Sequence, residues 1–239
     1  MIPLVLVHGF LGASAQWDDL AAELGQERSV IAVDLPGFGA NAHLPPVDRI
    51  EGFADWVIGY LRDRGVARYD LLGHSMGGMI VQEVARRDER VEKLVLYGTG
   101  PVGNIPGRFE TMAESRRRAK ADGAAATAAR ISATWLLKRE ACPSYPTAAE
   151  HAARAGLPAI LAGLEAMEQW SGTDALNLIK QDTLVIWGEQ DRSYDWKQTE
   201  ALWRGLPSSS LCVLPACAHL AHLEAPELFN AAIRRFLAD

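Results

Sequence analysis

Leu71–Ile80 reads LLGHSMGGMI, and its three glycines crowd around a single serine, Ser75. Glycine weakens helices and strands alike, so such a cluster needs a geometric reason. The apolar run Tyr69–Leu72 before it reads as a buried strand, and Met76–Arg87 after it as a helix. A strand that turns into a helix with no intervening loop holds the residue at the turn in a strained backbone conformation. Gly73 and Gly77 have no Cβ, so neighbouring elements can approach the turn closely. Ser75 Oγ is thereby lifted clear of the sheet edge, at the positive end of the following helix.

The same rhythm runs outward from this turn. Leu4–Val7, Val30–Val33, Leu94–Tyr97, Leu184–Trp187 and Leu211–Leu214 are short apolar runs, separated by amphipathic stretches such as QWDDLAAEL, FADWVIGYLRD and LFNAAIRRFL. Continuous apolar runs, rather than alternating ones, mark strands covered on both faces. Strand alternating with helix implies right-handed crossovers and an α/β fold, doubly wound, with about six parallel strands.

The rhythm breaks between residues 101 and 180. That region holds no convincing strand but an Ala-rich helical text with Pro breaks, chiefly ETMAESRRRAKADGAAATAARISATWLLK and LPAILAGLEAMEQW. We read 1–100 and 181–239 as the core and 101–180 as a helical cap. An insertion at strand C-terminal ends overhangs the crevice where open α/β sheets bind ligands.

A serine hydroxyl needs a base to remove its proton and a third group to orient that base. Of the six histidines, His74 adjoins Ser75 and points elsewhere on a sharp turn, His8 sits at a strand end with a packing or hydrogen-bonding task, and His43 and His151 lie in loop and cap. CAHLAHLEAPELF, just after the last strand, offers His219 and His222. His219 is preferred because it comes first, behind small residues that let the loop turn inward. His222 opens a helix-like segment and reads as a packing or capping residue. For the acid, IWGEQDRSYDW places Asp191 just past a buried strand, and Asp195 reads as the cap of a helix beginning near Trp196. The order Ser…Asp…His is the one expected for a nucleophile elbow. The oxyanion hole takes the Met76 N–H, next after the nucleophile, and a second N–H from HGFLGASAQW, where Phe10 follows His-Gly.

Composition narrows the classes. The 239 residues are 49% hydrophobic and 23% charged with a net charge of −6, which argues against a nucleic-acid surface. Three cysteines form neither a CxxC pair nor an even disulfide set, so reduced thiols are expected. The opening MIPLVLVHG has no basic start and too short an apolar run for a signal or a membrane span. A cytoplasmic protein is expected, with a small-molecule substrate and no membrane partner. No phosphate-binding loop or metal-ligand spacing is visible, and Asp18-Asp19 reads as the first turn of a helix, so no cofactor and no metal are expected.

LVLVHGF, VDLPGFG, GHSMGG, IWGEQD and CAHLAHLEAPELF together resemble the α/β-hydrolase superfamily, over the whole chain except the cap. The resemblance implies Ser75, Asp191 and His219 as triad, with Phe10 and Met76 as oxyanion donors. Family members usually carry two further strands before the His-Gly strand, on which this sequence opens. The expected sheet edge is then either exposed or covered by a partner chain, giving a monomer or homodimer. Haloalkane dehalogenases and epoxide hydrolases share the resemblance but use aspartate in place of Ser75.

Relatives with a cap of this size resemble carboxylesterases, enol-lactonases and C–C hydrolases of aromatic degradation. A menaquinone-pathway synthase is also similar, but carries a basic residue where this chain has Met79. The expected function is a serine hydrolase acting on a small to medium, largely apolar ester or lactone, with C–C hydrolysis as the alternative. A non-hydrolytic receptor or a cofactor-independent oxygenase on the same fold would differ in turnover and in oxygen requirement. Met112, Trp135, Leu136, Met167 and Trp170 are candidate pocket wall from the cap. Arg108, Arg130 and Arg154 are candidate carboxylate partners, with surface exposure the ordinary expectation for each.

Overall fold

The computed structural model describes residues 2–105 and 110–238. In chain order the elements are β1 (Leu4–Val7), α1 (Asp18–Leu24), β2 (Val30–Val33), α2 (Ile50–Asp63), β3 (Tyr69–His74), α3 (Met76–Ala85) and β4 (Val91–Tyr97). There follow α4 (Met112–Thr134), α5 (Tyr145–Ala153), α6 (Leu157–Gln169), β5 (Asp182–Gly188), α7 (Trp196–Gly205), β6 (Ser209–Leu214), α8 (Ala221–Glu224) and α9 (Pro226–Leu237).

The six strands form one sheet in the order β2-β1-β3-β4-β5-β6, and every neighbouring pair is parallel. Alternate strand residues feed two cores, as a pleated sheet requires. Leu4, Leu6, Leu72, Val95, Tyr97 and Ile186 pack with Trp17, Leu20 and Leu24 on one side, and with Phe229 and Ile233 of α9. Val5, Val7, Leu71, Leu94, Leu96 and Val185 pack on the other, against Phe53 and Val57 of α2 and Ile80, Val81 and Val84 of α3.

Burial on both faces holds for the central strands and fails at the edges. β1 and β3 are buried throughout, whereas β2 is half-buried over most of its length and Val213 of β6 is 42% exposed. The unbroken apolar text LCVL therefore marks an edge strand, where hydrophobic residues face water because no further layer covers them. Among the described residues no helix is long and apolar enough to cross a membrane.

The strand order reverses between β1 and β3, and ligands of open α/β sheets bind beyond the carboxyl ends of the strands at such a point. β3 ends in Ser75 and β1 ends in His8-Gly9-Phe10. Above that edge lie α4, α5 and α6. α5 is a third cap helix that the sequence reading did not separate, and α4 is broken at Gly123, whose φ is 81°. The chain leaves and re-enters the core through adjacent segments. Gly103 N–H donates to the Trp170 carbonyl (3.1 Å), Gly172 N–H donates to the Pro101 carbonyl (2.8 Å), and Val102 pairs antiparallel with Ser171.

Candidate active site

Ser75 occupies the single residue between β3 and α3, at φ 56° and ψ −121°. That left-handed conformation costs a non-glycine residue about 1–2 kcal/mol, and the surroundings hold it in place. Its N–H donates to the Tyr97 carbonyl (2.9 Å), and its carbonyl accepts from Gly78 N–H (2.8 Å) and Thr99 Oγ1 (2.8 Å). The glycines are close-approach positions. A Cβ on Gly77 would lie 2.4 Å from the His8 carbonyl oxygen, and one on Gly73 2.3 Å from the Gly77 oxygen. A Cβ on Gly9 would stand 2.9 Å from that of Ser75, so the β1 loop crosses directly over the turn.

His219 and Asp191 are joined, His219 Nδ1 lying 2.8 Å from Asp191 Oδ2. An ionised carboxylate only accepts, so Nδ1 carries the proton and Nε2 keeps a free lone pair. Asp191 Oδ1 accepts from Ser193 N–H (2.7 Å) and Tyr194 N–H (3.2 Å), and the Asp191 and His219 side chains are both buried. The Tyr194 ring stacks on His219 at 18° and 5.7 Å. The His219 carbonyl accepts from Tyr97 Oη (2.9 Å) and His74 Nε2 (3.0 Å). Both sides of the imidazole are thus fixed, the ring by Asp191 and Tyr194 and the backbone by Tyr97 and His74.

The other buried histidines are neutral, because burial removes the water that would solvate a charged imidazole. His8 is pushed down to about 4, although its bond to the Gly9 carbonyl works the other way. His222 is pushed down to about 3 by burial and then by His219, and His74 lies well below its ordinary value for the same reasons. His8 Nε2 accepts from Leu35 N–H (3.0 Å), which ties the β1 loop to the β2 loop. His222 Nδ1 lies 3.2 Å from Tyr97 Oη, and Asp195 caps α7 by accepting from Gln198 N–H (3.0 Å). Both residues have the supporting tasks their sequence positions imply.

Ser75 and His219 line one cavity of about 50 Å³, room for a few water molecules. Among the described residues they make no direct hydrogen bond, and such contacts tighten when substrate binds. Phe10 lies at its floor, and Met112, Trp135 and Met167 form part of its roof. Gly103, Ile105, Ile131, Thr134, Ser193 and Tyr194 complete the lining and escaped the sequence reading. Ser193 and Tyr194 follow Asp191 directly, and Ile131, Thr134 and Trp135 have the i, i+3, i+4 spacing of one helix face, so both groups left a signal.

Two expected wall residues lie elsewhere. Leu136 is fully buried with Cys142, Ala148 and Leu220, because the chain has left α4 and turns away from the cavity. Trp170 Nε1 donates to Glu83 Oε1 (2.9 Å) on α3, which fixes the returning stem of the cap. Arg130 pairs with Glu110 (3.2 Å) and Arg154 with Glu150 (2.9 Å), while Arg108 lies outside the described residues.

Met76 is the first residue of α3, so its N–H has no carbonyl one turn back and points out from the helix end. Phe10 N–H lies on the loop that crosses Ser75. Among the described residues no cluster of His, Cys, Asp and Glu is arranged to hold a metal ion. Another cavity, about 500 Å³, opens at the opposite end of the sheet among Lys93, Asp182, Ser208 and Cys212. Burial pushes the Cys212 thiol up, away from the reactive thiolate.

The family described as alpha/beta hydrolase fold matches residues 2–226. A 2-hydroxymuconate semialdehyde hydrolase of Pseudomonas putida is 29% identical, over 99% of this chain and 87% of that protein. The dihydrolipoyllysine-residue acetyltransferase component of the acetoin cleaving system, also of Pseudomonas putida, is 30% identical over 98% of this chain, which spans only 63% of that protein's length. Among solved structures, a thermophilic esterase from Thermogutta terrifontis superimposes with a TM-score of 0.90 at 28% identity, over 100% of this chain and 90% of its own. The chain belongs to the α/β-hydrolase fold family and is a hydrolase of that family.

Proposed function

We propose that this α/β-fold hydrolase is a serine hydrolase that cleaves a small to medium ester or lactone through an acyl-enzyme. The observation that carries the reading is His219, paired with Asp191 at 2.8 Å and sharing a cavity with a serine held on a strained strand-to-helix turn. Ser75 Oγ attacks the acyl carbonyl while His219 Nε2 takes its proton. Negative charge develops on the carbonyl oxygen and is met by the N–H groups of Phe10 and Met76. The tetrahedral adduct collapses, His219 returns the proton to the leaving alkoxide, and an alcohol departs. Water then attacks the acyl-enzyme by the same proton route and releases the acid and free Ser75. Asp191 holds the imidazole tautomer and stabilises the imidazolium.

The narrow, largely apolar cavity under Met112, Ile131 and Met167 supports a short or slim acyl group. A second reading, hydrolysis of a carbon–carbon bond beside a carbonyl, is supported by the likeness to the 2-hydroxymuconate semialdehyde hydrolase. Assay of purified protein against p-nitrophenyl esters of increasing chain length, beside Ser75→Ala, tests the first reading. Turnover should fall by about 10⁴-fold or more in the variant. Equal turnover by both proteins would remove Ser75 from the mechanism, and turnover by neither would turn the search to carbon–carbon substrates.

A further inference from the structure

Beside the reaction cavity lies a second recess of about 270 Å³, lined by Arg118, Arg130, Thr134, Arg139, Arg192 and Ser193. Thr134 and Ser193 line both, so the recess is continuous with the wall of the cavity that holds Ser75 and His219. Four of its six lining residues are arginines, in a chain whose net charge is −6.

Structural ion pairs occupy only the inner two. Arg118 reaches Glu110 (2.9 Å) and Asp122 (3.8 Å), and Arg130 reaches Glu110 (3.2 Å). Nε and Nη2 of Arg130 are buried without a hydrogen-bond partner. The outer two have no carboxylate partner among the described residues. Arg192 donates to the carbonyls of Leu136 (3.3 Å) and Leu137 (3.2 Å), and Arg139 is exposed on a turn at φ 49°. The set thus brings four guanidinium groups against two contacting carboxylates. The buried, unpartnered donors of Arg130 are costly unless an anion joins them, and the exposed guanidinium groups of Arg139 and Arg192 stand free of carboxylates beside them. The planar donors of arginine match the oxygens of a carboxylate or a phosphate.

We propose that this recess binds an oxyanion carried by the substrate at the end remote from its scissile bond, so that the enzyme acts on acyl compounds bearing a distal carboxylate or phosphate. The inference rests on Ser75 being the nucleophile of the adjoining cavity. Arg139 and Arg192 are the outer binding pair, and Arg118 and Arg130, already anchored by Glu110, form the inner wall.

Two p-nitrophenyl esters with acyl chains of equal length test it, one ending in a methyl group and the other in a carboxylate. The ratio of their kcat/KM values is taken within each preparation, so a partial folding defect cancels. The wild type should favour the carboxylate ester by about tenfold or more. The ratio should fall by a similar factor in Arg139→Gln, and further in Arg139→Gln/Arg192→Gln. No preference in the wild type, or a ratio unmoved in the double variant, overturns the proposal. Glutarate and glycerol phosphate, as competitors of the methyl-ended ester, separate the two oxyanions: the stronger inhibitor identifies the group, and inhibition by neither overturns the proposal. If the wild type cleaves neither ester, the ester-hydrolase reading has failed instead. Calorimetric titration of wild type and double variant with the same two anions then decides the recess. Binding that is lost in the variant supports it, and no binding to the wild type overturns it.

Discussion

The floor and the roof of the reaction cavity are built on different principles. The floor is held by backbone: a serine in a conformation few residues adopt, glycines that leave no space for a Cβ, and a histidine whose ring and carbonyl are separately fixed. The roof is held by side chains, through Met112, Ile131 and Met167 packed from helices whose only covalent ties to the core are two adjacent stems. A floor of this kind tolerates no displacement, whereas a roof of this kind can change its lining without disturbing the chemistry below. On the proposed function, specificity is therefore free to vary where catalysis is not.

The sharpest break of that contrast comes from the floor's Asp191–His219 pair. Asp191→Asn keeps the shape but no longer selects the Nδ1–H tautomer, and kcat should fall by about 10³–10⁴-fold with little change in melting temperature. A fall of less than tenfold would mean that His219 is oriented by Tyr194 and Tyr97 alone.

Acid separates the regions next. His8, His74 and His222 are neutral when folded and bind protons when unfolded, so the unfolded state takes up more protons as pH falls below the ordinary histidine value. Stability contributed by their neutral burial is complete above that value and is lost on descent toward the lowered ones, about 4 for His8 and about 3 for His222. Between pH 6.5 and 5.5 the loss should be about 1 kcal/mol per histidine, roughly 3 in all. Urea unfolding at the two pH values measures it; a flat profile would show that none of the three rings is held neutral by the fold, and a loss of about 1–2 kcal/mol that one or two of them are already charged.

The smallest expected effect contrasts two glycines. Gly77→Ala drives a Cβ against the carbonyls of Val7 and His8, whereas Gly123→Ala in α4 meets nothing within 4 Å and suffers only its φ of 81°. The first should cost about 2–3 kcal/mol with loss of turnover, the second about 1–3 kcal/mol with turnover kept. Equal losses of turnover, assayed beside urea unfolding, would abolish the distinction between a backbone-held floor and a packed roof.

The same distinction explains what could be read from the sequence. Ser75, Gly73 and Gly77 are legible together because their constraint is local: the turn must be made within a few residues, and only certain residues can make it. Asp195 is legible as a cap for the same reason, which leaves Asp191 for its neighbour at 2.8 Å. The cap residues answer to distant partners. Trp170 is held by Glu83, 87 positions earlier, and no helical period could foretell that contact. Trp135 and Leu136 are adjacent, yet one faces the cavity and the other a separate apolar cluster, because α4 ends at Thr134 and its period ends with it. Of the arginine recess the sequence singles out only Arg130 as a candidate carboxylate partner, for a related reason. Its members come from three stretches of chain, and each alone reads as ordinary solvated surface.

The stems at Pro101–Gly103 and Trp170–Gly172 carry a historical consequence. They meet side by side, Gly103 bonded to Trp170 and Gly172 to Pro101, so the core sees the intervening residues as one closed excursion through a single doorway. Loop-closure entropy rises only slowly with length, so an ancestral gene could lengthen, shorten or exchange that excursion at small cost to the sheet. The doorway is where this lineage can acquire a new diet while keeping its digestive machinery.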